Sequence, residues 1–137
     1  MIDGVVVKQL LVHSDDRGLL MEVVRDDDPV FREVKQATFT IAYPGVIKAF
    51  HWHRRQWDVR FFASGMAQAV LYDLREGSTT CGRNEVLYMG DKRPLVVALR
   101  ATYWAPVGLV LMPACDAARV LRDSLAVIAR QLVRRGG

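Results

Sequence analysis

Short apolar runs, many alternating with polar residues and each closed by Gly, Pro or Asp, fill most of the chain. Residues 5–12 are rich in β-branched side chains and predict a first strand. Residues 13–18, with Asp15, Asp16 and Gly18, form a turn, and 19–24 resume an extended apolar stretch that carries Glu22. The aspartates of 25–29 make a solvated loop in which Pro29 bars ladder bonding. Residues 36–42 alternate small polar positions with Phe39 and Ile41, the pattern of a half-buried strand, and 43–45 turn the chain. Strands follow at 46–53 and 59–63, joined through 54–56, then at 66–74, 85–89, 95–99 and 107–112. Seven or eight short strands at regular spacing argue for a β-sandwich or barrel.

The periodicity changes at the end. Ala117, Leu121, Leu125, Ile128 and Leu132 recur at steps of three or four, which predicts a helix over 116–133 stopped by Gly136 and Gly137. Its apolar face holds no Trp or Phe, so it suits packing on the barrel or on a second subunit better than a membrane surface. The expected organisation is one barrel domain over 1–115 and an amphipathic helix over 116–137.

Composition narrows the function classes. A chain of 137 residues, 51% apolar, can bury a core as one domain. No apolar run reaches the ~18 residues of a membrane span, and the N-terminus lacks a basic segment followed by an apolar core. Cys81 and Cys115 have no metal or redox spacing and suit a reducing compartment, so the expected location is cytoplasmic. The net charge is +4, but most of it sits in the arginines of the tail, with no basic run interleaved with aromatics. Nucleic acid and membrane are therefore not expected partners, while a phosphorylated small molecule is compatible.

His51 and His53 are one residue apart and share a face if their segment is a strand. Gly45, five residues, His51, one residue, His53, four residues, Asp58, six residues and Gly65 resemble the first motif of the cupin superfamily, with Asp where Glu is usual. The expected fold is an all-β, cupin-type jelly-roll β-barrel with a C-terminal helix.

Three segments resemble a narrower family. Residues 16–22 hold Asp16, Arg17, Gly18 and Glu22, similar to an early Asp-x-Arg-Gly-x-x-x-Glu segment of the dTDP-4-dehydrorhamnose 3,5-epimerases. Residues 45–51 resemble their Gly-Val-x-Arg-Gly-x-His, and residues 71–78 their Val-Asp-x-Arg-x-x-Ser. The order and spacing agree from about residue 2 to residue 97. After that the chain departs: Ala105 stands where the family's second motif has its histidine, no tyrosine follows Tyr103, and an Arg-rich tail replaces an acidic, tyrosine-bearing one.

The resemblance implies a cofactor-independent nucleotide-sugar epimerase or isomerase acting beside the 4-keto group of a dTDP-4-keto-6-deoxyhexose, and a homodimer. His51 falls on the family's base and Tyr103 is the substitute acid. Arg17 matches the arginine that meets the diphosphate, and Lys48 replaces a motif arginine. Glu22, Gln36, His53 and Arg60 complete the expected substrate contacts. Two other readings stand beside it. One is a metal-dependent cupin enzyme using His51, His53 and Asp58, since two nitrogens and an oxygen suit an open catalytic centre. The other is a non-catalytic sugar-nucleotide-binding cupin. Asp73 and Arg75 read as a structural turn pair, and Trp57 as core or rim rather than a base-stacking platform.

Overall fold

The structure, a computed structural model, describes residues 1–43, 46, 48–51, 56–73, 75–100 and 109–112. The expected tail helix and the boundary at 115 lie outside them. Every regular element among the described residues is a strand: β1 (Val6–Gln9), β2 (His13–Asp15), β3 (Gly18–Leu20), β4 (Lys48–His51), β5 (Trp57–Phe61), β6 (Met66–Tyr72), β7 (Asn84–Gly90), β8 (Leu95–Arg100) and β9 (Leu109–Met112).

They pair antiparallel in a three-stranded sheet of order β1-β8-β5, a four-stranded sheet of order β4-β9-β6-β7, and the small hairpin β2-β3. The two larger sheets face each other across a core of Leu95, Val97 and Leu99 from β8 and Ala67, Ala69, Leu71, Leu87 and Met89 from β6 and β7. This is the all-β jelly-roll sandwich that the strand pattern predicts.

Strand β8 explains why its sequence is a continuous apolar run. It is the middle strand of its sheet, and both of its faces are buried. Val96 and Ala98 point away from the main core into a second cluster with Leu10 and Val30, lined by Met21, Val23, Trp57 and Phe61. The 21–30 segment is held over that face by Lys8, whose Nζ donates to Asp28 Oδ2 at 2.5 Å and to the carbonyl of Glu22 at 3.1 Å. Burying such aliphatic side chains is worth about 1.5–3 kcal/mol each.

One end of the sandwich is closed by the N-terminal residues. Ile2 is buried in the main core, and its amide donates to Glu85 Oε2 at 2.8 Å, while the Asp3 amide donates to Thr80 Oγ1 at 3.0 Å. At the other end, a Cβ on Gly90 would lie 1.9 Å from the Gly65 carbonyl oxygen, so only glycine lets β7 close on that turn.

Two expectations change. Residues 13–18, expected as a turn, form the hairpin β2-β3, with only Asp16 and Arg17 at its tip. Residues 36–42, expected as a half-buried strand, belong to no sheet among the described residues, and each of them is exposed. The alternation is real, but no described strand pairs with it.

Candidate functional site

Strands β4 and β5 are the edge strands of the two facing sheets and are consecutive in sequence. The connection over 52–56 limits His51 and Trp57 to a separation of about 20 Å. Strands β6, β7 and β8 supply most of the apolar core.

On β4 the placement depends on a bulge. Lys48 is opposite Leu111 and His51 is opposite Leu109, so three steps on β4 match two on β9. In an unbroken strand residues 48 and 51 would lie on opposite faces. The extra residue shifts the register by one position between them. At Lys48 the register is that of the inner side, because Leu111 is also opposite Ala69, a member of the main core. The Lys48 ammonium donates to Thr40 Oγ1 and to the Ile41 carbonyl, both at 2.6 Å.

On β5, Trp57, Val59 and Phe61 share one face, and Trp57 and Phe61 pack on the second cluster. The guanidinium of Arg32 lies 3.6 Å from the Trp57 ring centre, so this tryptophan is engaged on the outer side of its sheet. Asp58 and Arg60 take the other face, opposite Leu99 and Val97 of the main core. Arg60 Nη2 donates to Asp58 Oδ2 at 2.7 Å, and Gln56 Nε2 donates to Asp58 Oδ1 at 3.0 Å. The Arg60 and Asp58 side chains are only 25% and 18% exposed. Arg60 Nε is buried without a hydrogen-bond partner among the described residues. Leaving such a donor unsatisfied costs about 1–3 kcal/mol.

The other expected residues lie apart from this interior. Arg17 is at the β2-β3 tip, where its Nη2 meets Asp15 Oδ2 at 2.5 Å. Glu22 pairs with Arg25 at 3.6 Å, and Gln36 Nε2 donates to Thr38 Oγ1 at 3.1 Å. All three are exposed and bond within their own stretch of chain. His53 and Tyr103 lie outside the described residues. Among the described residues no three His, Cys, Asp or Glu side chains gather as a metal site, and His53 of the alternative triad is not among them. The Asp58–Arg60 pairing was not anticipated from sequence. Its signal is the i,i+2 spacing of opposite charges on a strand, which places both on one face.

No protein-family model matches the chain. The spore coat polysaccharide biosynthesis protein SpsL of Bacillus subtilis is 54% identical over 99 residues, covering 72% of this chain and 66% of the relative. The probable low-salt glycan biosynthesis epimerase Agl13 of Haloferax volcanii is 32% identical over 105 residues, covering 75% of this chain and 67% of the relative. The chain belongs to the dTDP-4-dehydrorhamnose 3,5-epimerase family. It spans about two thirds of the length of these curated relatives. Its fold is shared with a crystal structure of a dTDP sugar isomerase from Desulfovibrio desulfuricans G20, at a TM-score of 0.68 and 20% identity over 85% of this chain and 82% of that one. It is shared also with the dTDP-4-dehydrorhamnose 3,5-epimerase from Sulfolobus tokodaii, at a TM-score of 0.65 and 20% identity over 79% and 62% of the two chains.

Proposed function

We propose that this chain is a cofactor-independent nucleotide-sugar epimerase or isomerase acting on a dTDP-4-keto-6-deoxyhexose, in the dTDP-rhamnose type of deoxysugar synthesis and in the cytoplasm. The observation that supports the reading is the likeness to the glycan biosynthesis epimerase of Haloferax volcanii, together with the paired Asp58 and Arg60 on the inner side of β5. His51 is the base: an imidazole titrates near working pH and suits removal of a proton from the carbon beside the ketone. The C–H electron pair passes into an enolate, and a proton returned to the opposite face of that carbon completes the inversion. Tyr103 is the acid in this reading. Arg17 and Lys48 take the diphosphate, and Glu22, Gln36, His53 and Arg60 hold the rest of the substrate.

The quaternary form is proposed as a homodimer. Val34, Phe39, Ile41 and Tyr43 are 74%, 85%, 63% and 75% exposed along one unpaired stretch. Apolar exposure of this kind marks an interaction surface. Arg17, Glu22 and Gln36 precede or begin this stretch and lie outside the barrel interior, so a second copy brings them to a site. Residues 116–137 form a helix packed on the barrel or on the partner.

The test is incubation with dTDP-4-keto-6-deoxyglucose in deuterated water, followed by proton NMR of the sugar. Loss of the C3 or C5 signal, absent in His51→Ala, is the expected result. Binding of dTDP without exchange would instead mark a carrier.

A further inference from the structure

We infer that Asp58 is a positioning residue that holds the Arg60 guanidinium by one edge, so that Arg60 Nε–H donates to an uncharged oxygen of the hexose and not to the diphosphate. The inference rests on the proposed function and names a specificity contact within the same site.

The geometry comes from strand alternation. Gln56, Asp58 and Arg60 fall on one side of the chain, and Asp58 and Arg60 are opposite Leu99 and Val97, whose side chains are in the main core. Asp58 receives Gln56 Nε2 on one oxygen and Arg60 Nη2 on the other, which fixes the carboxylate from two directions. Arg60 thereby loses the freedom of a long side chain, and its Nε–H is left buried and unspent among the described residues. Native interiors rarely tolerate such a donor, and a ligand oxygen is one of the few things that accounts for it.

Charge decides which oxygen. A carboxylate at 2.7 Å offsets the charge of the Arg60 guanidinium. Phosphate recognition by arginine uses the unopposed charge and two parallel donors. Arg60 has its Nη2 committed to Asp58, and a diphosphate brought close would also meet the Asp58 carboxylate. A buried N–H on a guanidinium whose charge a carboxylate already offsets fits a ketone or hydroxyl oxygen.

The experiment uses the full chain and its Arg60→Lys and Asp58→Asn variants. Arg60→Lys keeps the charge and removes Nε–H; Asp58→Asn keeps the shape and releases the guanidinium. For both, dTDP affinity by calorimetry should stay within about twofold of the unaltered chain. For both, kcat/KM on dTDP-4-keto-6-deoxyglucose should fall roughly 10- to 100-fold. In the unaltered chain the Arg60 Nε–H resonance in proton–nitrogen spectra should move with the sugar nucleotide and stay still with dTDP alone. A parallel loss of dTDP affinity would assign Arg60 to the diphosphate and overturn the inference. Unchanged kcat/KM with a lowered melting temperature would make the pair structural. A chain that turns over the sugar with a silent Nε–H overturns this inference alone. A chain that binds neither ligand overturns the proposed function, and the inference falls with it.

Discussion

Asp73 is fully buried, and its two oxygens are both spent. Arg75 Nε and Nη2 donate to them at 2.7 Å each, Ser78 Oγ at 2.7 Å and Thr80 Oγ1 at 2.6 Å. Burial alone would raise the carboxyl pKa, but these donors, led by Arg75, outweigh it and hold the group well below the usual carboxylate range. A folded-state pKa below the unfolded value stabilises the protein above the unfolded pKa of about 4, and that contribution drains as pH falls toward the folded value. Asp73→Asn leaves Arg75 buried beside a neutral partner and should cost about 3–5 kcal/mol at pH 7. Urea unfolding at pH 7 and again near pH 3 should show the gap between the two proteins narrowing in acid. A gap that stays constant would mean the carboxylate's charge contributes nothing. At this scale much was legible. The spacing of Asp73, Arg75 and Ser78 announces a turn pair, because short polar side chains after a strand bond their own backbone and one another. The Asp58–Arg60 pair was not, because Asp58 also completes a metal-like motif and a motif does not show which neighbour a carboxylate holds.

The strand boundaries show what period and punctuation can settle. The runs at 66–74, 85–89 and 95–99 became β6, β7 and β8 with shifts of a residue or two, since each is long, apolar and bounded by turn residues. The bulge in β4 left no such signature. Glycine or proline inside the strand would have hinted at one, and Lys48, Ala49, Phe50 and His51 include neither. Yet the bulge sets the register between residues 48 and 51. Deleting Ala49 removes the extra residue and leaves positions 48 and 51 two apart, so plain alternation keeps them in the same register. The deletion should keep solvent-deuterium exchange at the sugar while lowering the melting temperature by only several degrees. Lost exchange in a variant that still folds would show that the bulge itself, and not only the shared register, is needed at the site. Because β4 is an edge strand, the rest of its sheet keeps its pairing in this variant.

For the whole molecule, the period-two pattern at 36–42 was sound as local physics and incomplete as a statement about the chain. An alternating segment wants a sheet edge, and the described strands offer it none. What sequence cannot supply is which molecule owns the missing edge. A second copy is the economical answer, because a self-complementary two-fold contact needs no other partner. Phe39→Glu with Ile41→Glu should then convert a dimer into a monomer on sedimentation, and exchange activity should fall with it. A sharper form of the same prediction separates simple contact from a shared site. If Arg17 serves the site whose base is the partner's His51, then Arg17→Ala and His51→Ala chains are each inactive but complementary. Mixed and allowed to exchange subunits, they form heterodimers in which one of the two sites has both residues. Random mixing makes half the dimers mixed, so the preparation should recover about a quarter of the unaltered activity. If Arg17 serves its own chain's site, every site in the mixture lacks one residue or the other. Activity then stays at the level of the weaker pair of parents, and the exposed stretch is a contact surface without a share in catalysis.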